Sequence, residues 1–250
     1  MSGKMTVTFF AAGKADAVLI QTDSSSVMID TGRQKNAVRL TEALKERNVT
    51  ALNAVILSHY DKDHIGGASR ILKKIPTEKV YGTYRLRKDD DIRRLDKTVI
   101  RQKIPFVISN RETTFSLDGA VYDIYPASGE YTGSQANNAS LIVSVTFADI
   151  RFLFTGDAED ERIREFIEEY YIKTDILKIP YHGYPSGALE RLLAAARPSL
   201  CVITNSRRMP PARKISETRS MISNIGAECL ETAEGTVTIV TDGREYEIIR

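Results

Sequence analysis

The strongest constraint on the fold is one short segment, in which a continuous apolar run passes directly into a turn rich in metal-ligand side chains. The run is LNAVILS, residues 52–58, and the turn is HYDKDHIGG, residues 59–67. An uninterrupted apolar run of strand length is typical of a β-strand buried on both faces. GGASRILKKI, residues 66–75, then has the pattern of a helix that ends before Pro76. The segment predicts a strand, a ligand-bearing loop and a helix, which is where layered α/β proteins place their sites.

The turn holds most of the histidine in the chain. Only three histidines occur in 250 residues, and two of them, His59 and His64, lie here with Asp61 and Asp63. Imidazole and carboxylate groups are the usual ligands of borderline and hard divalent cations. The alternative is a solvated loop with chance charges, which suits a single His-x-Asp pair better than four ligand-type residues in six positions. We therefore predict a metal site in this turn.

Two further residues stand in the same sequence setting. His182, the third histidine, follows the apolar run of DILKIP and precedes a glycine, and Asp157 follows the apolar run FLFTG. A lone histidine in a loop is more often structural, but here every histidine of the chain follows a strand-like run. Asp157 could instead N-cap the helix predicted from EDERIREF, residues 159–166. We expect both residues to join the metal site.

The rest of the chain alternates short strand-like runs with amphipathic helical segments. Strands are predicted between residues 6 and 32, a helix over residues 33–48, and a highly charged helix over residues 88–104. Strands and helices recur in both halves, without an internal linker or a low-complexity segment. This order predicts an α/β fold of the αββα type, a sandwich of two mixed β-sheets flanked by helices, in one domain of residues 1–250.

Composition argues against several other classes of protein. The net charge is +2, which requires no polyanionic partner, and no stretch reaches the ~18 apolar residues of a membrane span. The first 20 residues lack the pattern of a signal peptide. Cys201 and Cys229 lie in separate apolar runs outside any metal spacing, so we expect buried free thiols rather than a disulfide. These features predict a soluble cytoplasmic protein with no obligatory protein partner.

A basic loop is a candidate for contacts with an anionic substrate. NSRRMPPARK, residues 205–214, carries the cations Arg207, Arg208, Arg213 and Lys214. Such a charge run is usually a solvated loop; the alternative is that it lies beside the site and holds phosphate groups. Tyr181, next to His182, either packs or donates a hydrogen bond to a developing oxyanion.

These motifs together resemble those of the metallo-β-lactamase-fold hydrolases. That family carries a His-x-His-x-Asp-His motif, followed at later strand ends by a bridging aspartate and a distal histidine. Here Asp61 stands where the second histidine is usual. This variant, with its two glycines, resembles the soluble domain of ComEC-type competence proteins and their stand-alone relatives. The chain also carries segments similar to other motifs of that group, in the same order: GKADAVLI, VMIDTG, NNASLIVSV, FLFTGDAE, LKIPYHG and TAEGTVTI.

The resemblance implies a dinuclear metallohydrolase. Its metal ligands are expected to be His59, Asp61, Asp63, His64, Asp157 and His182. The implied cofactors are two divalent metal ions, Zn or Mn, bridged by Asp157 and by the hydroxide that attacks the substrate. Asn137 or Asn138 would add a ligand or a substrate contact, and Asp30 would support the metal loop from behind its ligands. The implied catalytic residues are Asp63, Asp157 and Tyr181.

Three functions are compatible with these residues. The first is a phosphodiesterase acting on nucleic acid, a nucleotide or a phosphoryl-choline-type ester, which the hard carboxylate of Asp61 favours. The second is a hydrolase of the same fold acting on a lactone, a thioester or a lactam. The third is a non-catalytic module that binds metal or another ligand, against which the intact ligand set argues. Departures from the family pattern at Ala11, Ala15, Tyr181 and Tyr184 lie near the expected substrate position, so the resemblance does not imply the substrate.

Overall fold

Two β-sheets and the helices outside them make up the described part of the chain, residues 3–85, 89–207 and 212–249 of a computed structural model. The strands are β1 (Met5–Phe9), β2 (Ala17–Gln21), β3 (Ser26–Thr31), β4 (Ala54–Leu57), β5 (Val80–Gly82), β6 (Phe106–Ile108), β7 (Thr113–Leu117), β8 (Ala120–Tyr125), β9 (Ile142–Phe147), β10 (Ile150–Phe154), β11 (Ile176–Lys178), β12 (Leu200–Ile203), β13 (Glu228–Glu231), β14 (Val237–Thr241) and β15 (Tyr246–Ile249). The helices are α1 (Ala37–Glu46), α2 (Lys62–Ile65), α3 (Ala68–Lys74), α4 (Asp90–Gln102), α5 (Asp160–Glu169), α6 (Leu189–Ala196) and α7 (Ala212–Asn224).

Both sheets are mixed. The first has the strand order β15-β14-β1-β2-β3-β4-β5-β6, antiparallel as far as β3 and parallel from β3 to β6. The second has the order β13-β12-β11-β10-β9-β8-β7, parallel from β13 to β10 and antiparallel beyond. Parallel neighbours need a crossover connection, and in each case at least one helix lies between the two strands in the chain.

Alternation along the strands explains how the layers stack. Phe9 on β1 and Phe154 on β10 point into the space between the sheets, where their ring centroids lie 5.8 Å apart. Leu19 faces the opposite way and packs with side chains of α1, α3 and α4. Leu153 does the same in the second sheet, against α5, α6 and α7. The predicted αββα sandwich is confirmed, with a continuous core between the sheets. The single domain of residues 1–250 stays a prediction.

The sequence patterns locate most elements correctly. The helices predicted over residues 33–48 and 88–104 are present as α1, after a short 3-10 turn at Gln34–Asn36, and as α4. The turn at residues 59–67 was expected as a loop, and it contains the one-turn helix α2. Cys201 and Cys229 are free, as expected; Cys201 is buried, whereas Cys229 is only partly buried.

The basic loop can be followed only in part. Residues 208–211, and the side chains of residues 212–214, lie outside the described part of the chain. Its proposed contact with phosphate groups stays a prediction. Within the described ranges, none of the helices combines the length and the apolar composition needed to cross a membrane.

One edge of the sandwich brings the ends of β4, β10 and β11 together. The backbone N–H of Leu141, just before β9, donates to the carbonyl of Ser58, just after β4, at 2.9 Å. The N–H of Tyr181, after β11, donates to the carbonyl of Gly156, after β10, at 3.3 Å. Because β9 also pairs with β10, these backbone hydrogen bonds connect the segments after β4, β10 and β11, which carry the predicted metal ligands.

Candidate metal centre

The segment after β4 turns most of its ligand-type side chains inward. Helix α2 begins at Lys62, so His59 lies in the preceding turn and His64 on the helix. His59 and His64 are 2% and 0% exposed, and Asp63 is buried beside them. Asp61, the residue before the helix, is partly exposed. The turn thus buries three of the four predicted ligands.

The two glycines after His64 allow close packing of backbone on backbone. A Cβ atom at Gly67 would lie 2.2 Å from the carbonyl oxygen of Thr31, and one at Gly66 would lie 2.5 Å from the amide nitrogen of Gln34. Both distances are far below van der Waals contact, so only glycine fits. The region around α2 therefore packs directly against the end of β3 and the segment after it.

Asp157 follows β10 in a turn that Gly156 makes possible. Gly156 has a φ of 53°, and a Cβ atom there would lie 2.9 Å from the Cβ of Ser58. The turn buries the Asp157 carboxylate among the histidines. The N-cap of α5 is Glu159, whose side chain makes no capping hydrogen bond. The alternative that Asp157 caps this helix is therefore wrong.

His182 lies in a strained turn after β11. Tyr181 and His182 have φ values of 50° and 53°, and Gly183 follows with 84°. A left-handed backbone costs about 1–3 kcal/mol for each residue other than glycine, so the surrounding fold must impose it. The His182 ring is held by a hydrogen bond from Nδ1 to the carbonyl of Thr204, at 2.9 Å. The strain accompanies the placement of a buried imidazole beside Asp157.

The three imidazoles and Asp157 converge on one small region. His64 Nε2 lies 3.2 Å from Asp157 Oδ1, and His182 Nε2 lies 3.2 Å from Asp157 Oδ2. The ring centroids of His59 and His64 are 4.1 Å apart. Two buried sets of residues have ligand atoms within 4.8 Å of one another: His59, His64 and Asp157, and also Asp16, His64 and His182. His64 belongs to both sets, but Asp16 faces the Nδ1 atoms of His64 and His182, at 3.9 and 3.3 Å, so Asp157 and not Asp16 lies beside their Nε2 atoms.

Among the described residues, several buried atoms at this place make no hydrogen bond. They are His59 Nε2, His64 Nε2, His182 Nε2 and Asp157 Oδ1. Buried polar atoms nearly always have a hydrogen-bond partner, whereas here even His64 Nε2 and Asp157 Oδ1, which lie 3.2 Å apart, lack the alignment of a hydrogen bond. Four such atoms in one cluster need an explanation. An imidazole nitrogen and a carboxylate oxygen are both lone-pair ligands of divalent cations. These residues therefore fit a metal centre better than they fit a hydrogen-bond network.

Hydrogen bonds behind the imidazoles decide which nitrogen faces the centre. His64 Nδ1 lies 2.7 Å from Asp30 Oδ2, and it must carry the proton because a carboxylate only accepts. Ser58 Oγ donates to the same oxygen at 2.6 Å, which leaves its lone pairs to accept from His59 Nδ1 at 3.1 Å. Both rings therefore present Nε2 inward. Asp30, which the sequence suggested as a support of the metal loop, lies directly behind His64.

Two buried residues that the sequence did not single out complete the surroundings. Asp16 pairs with Lys178 Nζ, accepts a hydrogen bond from Thr204 Oγ1, and lies 3.3 Å from His182 Nδ1. Lys178 Nζ also donates to the carbonyl of Gly156 at 2.7 Å. The available sequence signal was a charged residue inside an apolar run, in ADAVLI and in ILKIP. This ion pair links the turns that present His182 and Asp157.

The charges of the cluster compensate one another. Burial lowers the pKa of His59 to about 4, with a further contribution from His64, so His59 is neutral and able to ligate. Burial alone would lower the pKa of His64, but Asp157 and Asp30 raise it well above its usual value. Burial would raise the pKa of Asp157, but His182 and His64 lower it well below its usual range. The carboxylates thus require positive charge, which protonated imidazoles or a bound cation can supply.

Two of the predicted ligands lie at the edge of this cluster. Asp63 Oδ2 is 3.8 Å from His182 Nε2 and contacts Lys14 and Arg33. Asp61 enters neither three-residue set of the described residues, and it borders a small adjacent cavity. Their roles as ligands stay predictions, since each requires the side chain to turn toward the centre.

The two asparagines hold the start of α5. Asn138 Nδ2 donates to Glu161 Oε2 at 3.0 Å, and its Oδ1 accepts from the N–H of Glu159 at 2.8 Å. Asn137 Nδ2 donates to Glu159 Oε1 at 2.8 Å. Both side-chain amides form hydrogen bonds with residues at the start of α5, so their contact with an ion or a substrate stays a prediction.

Comparison with known proteins assigns the family. Residues 11–200 match the model of the Metallo-beta-lactamase superfamily. The chain belongs to this superfamily. It therefore has a metallohydrolase fold, and that fold, together with the buried His and Asp sets, implies binding of a divalent metal ion.

Relatives within the superfamily include competence proteins. Recombination protein 2 of Haemophilus influenzae is 27% identical over 202 residues, which cover 79% of this chain and 24% of that protein. ComE operon protein 3 of Bacillus subtilis is 24% identical over 179 residues, 69% of this chain and 23% of that protein. The chain thus spans about a quarter of the length of these relatives. The predicted resemblance to competence proteins is confirmed.

A solved structure supports the same assignment of the fold. The metallo-beta-lactamase fold protein YhfI from Bacillus subtilis has a TM-score of 0.64 and 14% identity. The match covers 94% of this chain and 99% of that chain. At this identity the likeness concerns the fold.

Proposed function

We propose that this chain is a dinuclear metal-dependent phosphodiesterase whose centre is built on His59, His64, His182 and Asp157. The observation that carries the proposal is the cluster of four buried ligand atoms without hydrogen-bond partners. Asp63 would complete the set from the side of His182, from which it is 3.8 Å away. Divalent ions held there would supply a hydroxide near neutral pH and would stabilise negative charge on a substrate oxygen.

The carboxylate content of the site supports an anionic ester as substrate. Asp61 would replace an imidazole in the donor set, and carboxylate ligands favour Mn²⁺ alongside Zn²⁺. Two divalent ions carry more positive charge than Asp61, Asp63 and Asp157 together can neutralise. A centre with this excess of positive charge attracts a phosphodiester more strongly than a neutral lactam or lactone.

The residues around the centre have separate tasks in this proposal. Asp30 keeps the proton on Nδ1 of His64, so that ring cannot rotate its protonated nitrogen toward the ion. Burial raises the pKa of Tyr181, and Glu159 and Asp157 raise it further, so the phenol stays protonated. A protonated Tyr181 can donate to the oxygen on which charge develops.

The test is turnover of bis-p-nitrophenyl phosphate by purified protein loaded with Zn²⁺ or Mn²⁺. Metal content is measured on the same samples. We expect hydrolysis by the parent protein and its loss in Asp63→Ala. The matched control is Asp149→Ala, which removes an exposed carboxylate in the turn between β9 and β10 and should leave both turnover and metal content unchanged.

Other outcomes would replace the proposal. Turnover of a lactone, a thioester or a β-lactam, with none of the phosphodiester, would establish the second function considered from the sequence. Two bound ions without turnover of any of these substrates would favour a non-catalytic binding module.

A further inference from the structure

Two partly exposed cations contact Asp63 at the border of the candidate metal centre. Arg33 Nη2 lies 2.9 Å from Asp63 Oδ2, and Lys14 Nζ lies 3.3 Å from the same oxygen. Both side chains are 29% exposed, whereas the Asp63 side chain is 7% exposed. The ammonium and guanidinium groups thus stand between solvent and a carboxylate that borders the centre.

The positions of these cations are fixed by further contacts. Arg33 Nε donates to the carbonyl of Lys14 at 3.1 Å, which ties the turn after β1 to the turn after β3. Lys14 Nζ also lies 5.7 Å from the ring centroid of Tyr181. Asp63 Oδ2 is in turn 3.8 Å from His182 Nε2. The two cations and His182 Nε2 therefore share Asp63 Oδ2 as a neighbour.

The charge at this point is unbalanced. Asp63 is the acidic partner of both cations, and neither has another within the described ranges. One carboxylate cannot neutralise two cations, so positive charge remains beside the centre. If Asp63 ligates an ion, as the proposed function requires, its oxygen is shared and the two cations gain hydrogen-bonding capacity toward solvent.

We propose that Lys14 and Arg33 bind the non-bridging oxygens of the substrate and select anionic phosphoesters over neutral esters. This inference rests on the proposed function, because it names a group that the same centre would hydrolyse. A guanidinium offers two parallel N–H donors that match phosphate oxygens, and an ammonium offers a point charge that adapts its position. Tyr181, which borders Lys14, would face the same group from the opposite side.

The experiment compares Lys14→Gln, Arg33→Gln and the double variant with the metal-loaded parent. Binding of inorganic phosphate is measured by calorimetry, and kcat/KM is measured for bis-p-nitrophenyl phosphate and for the neutral ester p-nitrophenyl acetate. We expect each single change to weaken phosphate binding and phosphodiester turnover about 10- to 100-fold, the effect of losing a charged hydrogen bond. Turnover of the neutral ester should change less than threefold, and Arg33→Lys should restore part of the loss.

A matched control separates local from general effects of charge. Arg39→Gln combined with Lys45→Gln removes the same two charges from exposed positions on α1 and should leave all three measurements unchanged. Equal losses for the neutral and the anionic ester, or loss of bound metal in the single variants, would overturn the inference, because either would mean that the cations only position Asp63. Unchanged phosphate binding in the double variant would overturn it too.

Phosphate binding also distinguishes the two proposals. If the parent binds inorganic phosphate through these cations but hydrolyses no phosphodiester, the proposed function fails, and of the inference only the binding of phosphate by Lys14 and Arg33 stands. If the parent hydrolyses the phosphodiester and the variants match it, the proposed function stands and the inference fails.

Discussion

Replacing Asp30 by asparagine should weaken metal binding while the fold survives. Asp30 has a φ of 56°, a left-handed conformation that asparagine tolerates better than most residues. The side-chain oxygen of the asparagine can still accept a hydrogen bond from the N–H of Ser58, which lies 2.8 Å from Asp30 Oδ1 in the parent protein. The new NH₂ group, however, would face the position from which Ser58 Oγ and His64 Nδ1 donate at 2.6 and 2.7 Å. His64 can resolve this conflict by moving its proton to Nε2.

The magnitude follows from that change of tautomer. A proton on Nε2 removes the lone pair that would bind the ion, and loss of an outer partner of a ligating histidine costs about 10- to 100-fold in metal affinity. That range is about 1.4–2.7 kcal/mol of binding free energy. In the metal-free protein, the mismatched donors cost about 1–3 kcal/mol of folding stability. A chain of this size loses about 2–4 °C in Tm per kcal/mol, so Asp30→Asn should still fold at 25 °C.

The assay is a competition titration of Zn²⁺ against a chelator of known affinity, on the parent, on Asp30→Asn and on the exposed control Asp149→Asn. Long-range ¹H–¹⁵N spectra report the tautomer directly, because the chain has only three histidines. We expect weaker binding in Asp30→Asn. In metal-free samples at a pH above the raised pKa of His64, where the ring is neutral, we expect its proton on Nε2 in Asp30→Asn and on Nδ1 in the parent and the control. Parent-like affinity, or an unchanged His64 tautomer, would refute the argument that Asp30 orients this imidazole.

Three further predictions concern the buried charges and the packing of the loop. Lys178→Met should destabilise the protein by about 3–5 kcal/mol in urea unfolding, because it leaves the carboxylate that Lys178 pairs with buried and uncompensated; a change below 1 kcal/mol would contradict this. The affinity for Zn²⁺ should rise with pH, because binding must displace protons from His64 and His182, whose pKa values are raised. For the same reason, the protonated imidazoles should stabilise the metal-free protein, and this stabilisation should be lost as the pH rises through their raised pKa values. Thermal unfolding with and without metal can separate this loss of stability from the effect of metal binding. Gly67→Ala should prevent stable folding or lower Tm by more than 5 °C, because its Cβ would lie 2.2 Å from the carbonyl oxygen of Thr31; a parent-like Tm by circular dichroism would show that the loop can shift.

Local patterns were sufficient for the layers and for much of the candidate site. The run of residues 52–58 contains β4, and the four ligand-type residues after it lie within six positions of the chain. Distances between them are therefore set mainly by one turn and one helix. His182 and Asp157 could be added because each follows an apolar run and sits beside a glycine, a setting that recurs at strand ends.

Residues joined only by tertiary structure were not predictable in the same way. Asp16 and Lys178 are far apart in sequence, and no spacing rule connects a carboxylate after β1 with an amine at the end of β11. The contacts of Lys14 and Arg33 with Asp63 likewise depend on how three turns pack. The two glycines after His64 are visible in the sequence, but the backbone that leaves no room for a side chain there belongs to residues far away in the chain.

The central claim is that the buried imidazoles and Asp157 hold divalent metal. Anomalous X-ray diffraction at the zinc edge, from crystals grown with Zn²⁺, tests it most directly. We expect two adjacent peaks in contact with Nε2 of His59, His64 and His182 and with the carboxylate of Asp157. Zinc bound elsewhere, with these four side chains hydrogen-bonded only to water or to one another, would contradict it.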